Sequence, residues 1–87
     1  MDDKQCIITF NSTHHALAFE KAANDDNIKI IILPVPRSIA ASCGLAVKFN
    51  QIDLKSIEAL IKEKSLNYAG IYRVQNNEGK KDYIRIE

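Results

Sequence analysis

Two thiols and a pair of neighbouring imidazoles are the side chains of widest chemical range in this sequence: Cys6, Cys43, His14 and His15. Cys43 closes an unusual stretch, PVPRSIAASCG over residues 34–44, in which two prolines, an arginine and a small-residue run separate two apolar segments. A free thiol with a pKa of about 8.5 is only roughly 3% thiolate at pH 7, and the thiolate is the nucleophile. Positive potential raises that fraction. Its candidate sources are Arg37 in the same stretch, the N-terminus of the helix expected after Ser12, and a protonated His14 or His15. Gly44 leaves room beside the sulfur and its N–H can donate to an anion there. Ser38 and Ser42 add hydroxyl donors, and Pro34 and Pro36 stiffen the approach. The same residues also make a packed connection: SIAAS can form one helical turn stopped by Cys43 and Gly44, with the thiol as a small buried hydrophobe. Spacing alone leaves both readings open.

The remaining reactive groups are less suggestive. Cys6 shares a strand face with Ile8 and Phe10, which marks it for the core. Phe10 at the strand's end is about 13 Å from Cys6. A disulfide needs Cα atoms within about 7 Å, so a Cys6–Cys43 bridge is not expected. His14 and His15 point roughly 100° apart on a helix, unlike the i, i+4 pair of a metal-binding helix. With no third ligand beside Cys43 and a histidine, no metal site is expected, and no other cofactor is called for. There is no glycine-rich phosphate loop, paired-carboxylate pattern or serine-nucleophile motif.

These residues must be positioned by the elements around them. Residues 5–10 (QCIITF) alternate and are β-branched, predicting a strand. Asn11 or Ser12 can then cap a helix carrying Ala16, Phe19, Ala22 and Ala23 on one face, with Leu17 beside them. Residues 28–35 (IKIIILPV) predict a second strand, nearly continuous in apolar residues and therefore expected to be buried on both faces or covered by helices. Residues 45–50 predict a third strand. Asp53 can cap a helix whose stripe is Leu54, Ile57, Leu60 and Ile61. Residues 68–75 and 82–87 predict two further strands joined by a turn at NNEGKK. The order βαββαβ plus a terminal hairpin strand predicts an α+β fold. We expect a ferredoxin-like antiparallel sheet with both helices on one face. In that arrangement the third strand lies between the first and second. Asn11, Ser12, His14 and His15 then share a sheet edge with residues 34–44.

Composition bounds the function. The 87 residues fit one domain over 1–87, with a hairpin strand at about 80–87. The net charge of +1, from 12 basic and 11 acidic residues, argues against nucleic acid or a membrane surface as the main partner. KEK at 62–64 reads as a solvated helix face, and Tyr68, Tyr72 and Tyr83 as sheet packing. No secretory signal or membrane-length apolar run is present, and two unpaired cysteines fit a reducing compartment, so a cytoplasmic location is expected.

ITFNSTHHALAFEK followed by ILPVPRSIAASCGLA resembles a family of small bacterial domains, the selenium/sulfur carrier protein-like family. The residues that carry the resemblance are Phe10, Ser12, Thr13, Ala16, Glu20, Lys21, Pro34, Pro36, Arg37, Ser42, Cys43 and Gly44, over about residues 5–75. The resemblance implies a carrier rather than a turnover enzyme. Cys43 would hold sulfur or selenium as a persulfide or selenosulfide, with Arg37 tuning its charge and Gly44 shaping the backbone. Asn11, Ser12, Thr13, His14, His15, Pro34, Pro36, Ser38 and Ser42 would frame the site. The implied partners are a cysteine-desulfurase-like donor and an acceptor protein. Two other classes stay open: a regulatory module binding a small anion or metabolite at Arg37 and the helix N-terminus, and a structural domain that forms a homodimer through an edge strand.

Overall fold

A computed structural model describes residues 4–37, 39 and 44–86. β1 (Gln5–Thr9) leads into α1 (Thr13–Asp25), followed by β2 (Ile30–Pro34) and β3 (Leu45–Asn50). A short 3-10 turn, Gln51–Asp53, opens α2 (Leu54–Lys64), and β4 (Gly70–Asn77) and β5 (Lys80–Arg85) complete the chain. The strands form one sheet in the order β2-β3-β1-β4-β5, every neighbouring pair antiparallel. This is an α+β fold with two helices and a five-stranded antiparallel sheet. β3 lies between β1 and β2, as expected, and β5 extends the sheet one strand beyond β4.

The sheet's two faces follow from the pleat, because directly opposed residues share a face. Cys6 opposes Phe49 and Arg73, and Ile8 opposes Val47 and Ile71. On this face the core closes against Ala16, Phe19, Ala22 and Ala23 of α1 and Ile57 and Leu60 of α2. Phe10 and Phe19 meet with ring centroids 5.5 Å apart at a tilt of 51°, a favourable aromatic geometry. The other face carries Ile7, Thr9, Ala46, Lys48, Ile31, Tyr72, Tyr83 and Arg85.

Local chemistry sets the element ends. Ser12 is the N-cap of α1, its side-chain oxygen accepting from the His15 N–H at 3.2 Å. Asp53 stands at the N-cap of α2 but makes no side-chain capping bond. The 3-10 turn intervenes, and Asn50 caps that turn by accepting from the Ile52 N–H at 3.0 Å. The β4–β5 hairpin turns at Glu78 and Gly79, with φ of 53° and 82°, the paired positive angles of the tight turn that matches strand twist.

Of the two expectations for β2, cover by the helices holds on one face, where Ile30 and Ile32 pack against the core. Burial on both faces is corrected: β2 is an edge strand, and Ile31 is 58% exposed. An unbroken apolar run reads as a buried strand by composition, but here half of the run faces the helices and Ile31 faces out.

Candidate functional site

The connection between β2 and β3 is closed at its base and anchored at its middle. Val35 N–H donates to the Gly44 carbonyl at 3.0 Å, continuing the β2–β3 ladder by one pair. Ile39 N–H donates to the Pro36 carbonyl at 3.0 Å, which closes a four-residue turn with Arg37 at its corner. Ile39 is 6% exposed. It shares the wall of a groove of about 600 Å³ with Tyr72 of β4 and with Lys81, Asp82, Tyr83, Ile84 and Arg85 of β5. Tyr72, Lys81, Tyr83 and Arg85 belong to the face turned away from the helices, so Ile39 sits by that face, across the sheet from the β2 edge. Ile39 was not singled out from the sequence. Its signal is that it is the only large apolar residue between Val35 and Leu45.

The end of the sheet from which this connection springs is tied down elsewhere. Thr9 opposes Ala46 and Gly70, and Pro34 opposes Leu45, so the end of β1, the end of β2 and the starts of β3 and β4 lie together. Ala69 N–H donates to the Thr9 carbonyl at 2.7 Å, and Arg85 donates from its guanidinium to the Ala69 carbonyl at 3.1 Å. The topology thus collects Asn11 and Ser12, just after β1, at the same sheet end as Pro34 and Gly44.

The residues predicted for the site fare differently. Cys43, Ser38 and Ser42 lie outside the described residues. Arg37, Pro34 and Gly44 are exposed, and Pro36 is half-buried. A Cβ added at Gly44 would meet no atom within 4 Å, and Gly44 is not among the residues with positive φ. Among the described residues nothing requires glycine there. Asn11, Thr13 and His14 are exposed, and Ser12 is engaged as a cap. His15 is half-buried, and its Nδ1 is buried without a hydrogen-bond partner. Among the described residues no three His, Cys, Asp or Glu side chains group to hold a metal ion, and no helix is long and apolar enough to cross a membrane.

The other thiol is accounted for. Cys6 is free and 0% exposed, packed in the core between Ile8, Phe49 and the helices. Burial pushes its pKa up, and the Arg73 guanidinium opposite it on β4 only partly offsets that. A protonated, enclosed thiol is neither a nucleophile nor an acceptor for a transferred atom.

Comparison with known proteins adds the family. The family described as "Putative Se/S carrier protein-like" matches residues 5–73, most of the chain and all of residues 34–44. The chain belongs to that family. No curated protein and no solved structure matches it. The match ends within β4, so β5 and the hairpin turn lie beyond it.

Proposed function

We propose that this family member is a carrier of sulfane sulfur or selenium, loaded on Cys43. The observation that supports this most directly is a contrast between the two thiols. The family match spans the P-x-P-R and S-C-G stretch that contains Cys43, while Cys6 is sealed in the core. In the loading step the Cys43 thiolate attacks the outer sulfur of a persulfide on a cysteine-desulfurase-like donor. The donor's S–S bond breaks, a new S–S bond forms on Cys43, and the donor leaves as a thiolate. No oxidant is consumed. Delivery reverses the roles: an acceptor nucleophile takes the outer atom and Cys43 departs as thiolate. Selenium would travel likewise as a selenosulfide.

The surroundings suit a protein–protein handover. Arg37, at an exposed turn corner, tunes charge near the carried atom, and Gly44 keeps the approach open. The N-terminal turn of α1, with Asn11, Ser12, Thr13, His14 and His15, sits at the same sheet end and frames the site. We read the first four strands and two helices as a ferredoxin-like frame for it, in a single domain of a cytoplasmic protein. The supporting feature is the β2-β3-β1-β4 order with both helices on one face.

The test is transfer of labelled sulfur from a cysteine desulfurase supplied with cysteine. The native chain and Cys6→Ser should accept label equally, and Cys43→Ser should accept none. Acceptance by Cys43→Ser at the native level would sink the proposal. A second reading, a module for a small anionic metabolite, draws on the groove beside Ile39 with its Lys81 and Arg85. It predicts a ligand-induced thermal shift that survives Cys43→Ala.

A further inference from the structure

The two edges of the sheet are finished differently. β5 presents a charged edge, with Lys80, Lys81, Asp82 and Arg85 all exposed, the usual protection against strand addition. β2 presents IIILP. Its hydrogen-bonding groups can be assigned one by one. Val35 and Gly44 form a hydrogen-bonded pair in the β2–β3 register, so Leu33 and Ile31 also turn their backbone groups toward β3. Ile30, Ile32 and Pro34 turn theirs outward. Pro34 has no N–H, and the next outward donor, Ile28 N–H, is taken by the Ala23 carbonyl at 2.9 Å. The outward donors left on this edge are therefore Ile30 and Ile32.

We propose that β2 is an association edge that takes a second copy of this chain, antiparallel about a two-fold axis at Ile31. In this register Ile30 exchanges hydrogen bonds with Ile32 of the second copy, and Ile32 with its Ile30. Both outward donors of each copy are used, and each meets an outward carbonyl. Ile31, the 58% exposed residue of the strand, faces its own counterpart in the close, non-hydrogen-bonded pair, with Cβ atoms about 5 Å apart. The alternative two-fold axis, at Ile32, would set the Pro34 ring opposite the Ile30 carbonyl inside the ladder, where proline is not accommodated. Pro34 thus fixes the register and ends the pairing. The interface is isologous, and the contact is short, so the dimer is weak and depends on concentration. Ile39, in the connection that follows β2, lies against β4 and β5 and so away from this edge.

Sedimentation of the native chain up to about 1 mM should show the mean mass rising from monomer toward dimer. Ile31→Lys should hold it at monomer with an unchanged circular dichroism spectrum, since the side chain is exposed. Register is read by disulfide trapping in a Cys43→Ser background, where Cys6 is enclosed. Ile31→Cys should cross-link under mild oxidant, and Leu33→Cys, which faces Lys29 of the second copy, at least about tenfold more slowly. A monomer throughout the concentration range overturns the proposal. So does a dimer that survives Ile31→Lys, or equal cross-linking of the two cysteine variants.

Discussion

Replacing Ile39 by alanine separates an anchored connection from one that merely spans two strands. Ile39 is 6% exposed, so truncation returns about three carbon groups to water, at about 0.8 kcal/mol each, or roughly 2.4 kcal/mol in all. A sealed core site would add a cavity cost and reach as much as about 5 kcal/mol. Here the vacated space adjoins the groove lined by Tyr72, Tyr83 and Arg85, so water fills it and that extra cost is small. The expected loss is therefore about 2–3 kcal/mol, which for a chain of this size lowers the melting temperature by roughly 10–20 °C. Urea unfolding under reducing conditions measures it, with the slope compared to the native chain to verify that the unfolded state is unchanged. Because Ile39 holds the connection that carries Cys43, sulfur acceptance at temperatures where the variant is folded should also fall. A stability change below about 0.5 kcal/mol would refute the anchoring argument, since that is the range of substitutions at unburied positions.

Four further outcomes follow from the same structure. In the native chain an alkylating reagent should modify Cys43 alone, with Cys6 labelled only in denaturant; labelling of native Cys6 would contradict its burial. The raised pKa of Cys6 also has a sign: the unfolded chain ionises this thiol first, so stability is fully present below the unfolded pKa of about 8.5 and declines above it. The slope is at most about 1.4 kcal/mol per pH unit from this one group, and Cys6→Ala should flatten that part of a pH–urea profile. Gly44→Ala should leave the melting temperature unchanged or raise stability by about 0.4–1 kcal/mol, because the position has room and no left-handed backbone. A loss of sulfur transfer without loss of stability would then tie that glycine to the handover. Ser12→Ala should cost about 1 kcal/mol by removing the α1 cap, measured as a shift in urea midpoint.

Much of the fold was legible because its signals are local. The alternation of QCIITF, the spacing of Ala16, Phe19, Ala22 and Ala23, and the stripe Leu54, Ile57, Leu60 and Ile61 each report one buried face, and each face is where the core lies. What the sequence did not reveal depends on the chain's return from a distance. Whether Ile30 to Leu33 sits at the centre or edge of a sheet is decided by what pairs with its outer groups, and periodicity carries no information on that. Asp53 has the right chemistry for a cap, but Asn50 reached a backbone N–H first and started a 3-10 turn ahead of the helix. For the site, the P-x-P-R and S-C-G pattern pointed to the family that the chain proves to belong to. The role of Ile39 was hidden because its partners, Tyr72 and Tyr83, lie more than thirty residues away.

The central position of β1 has a consequence for how the chain is made. Gln5–Thr9 leaves the ribosome before either of its partners, which are Leu45–Asn50 on one side and Gly70–Asn77 on the other. β4 and β5, joined by a two-residue turn, can close on their own, and β2 and β3 can do so across a longer connection. β1 can be gripped on both sides only after β4 has emerged. It is the seam between two hairpins, and the nascent chain must keep the apolar strand that carries Cys6, Ile7 and Ile8 from other partners until β4 is available.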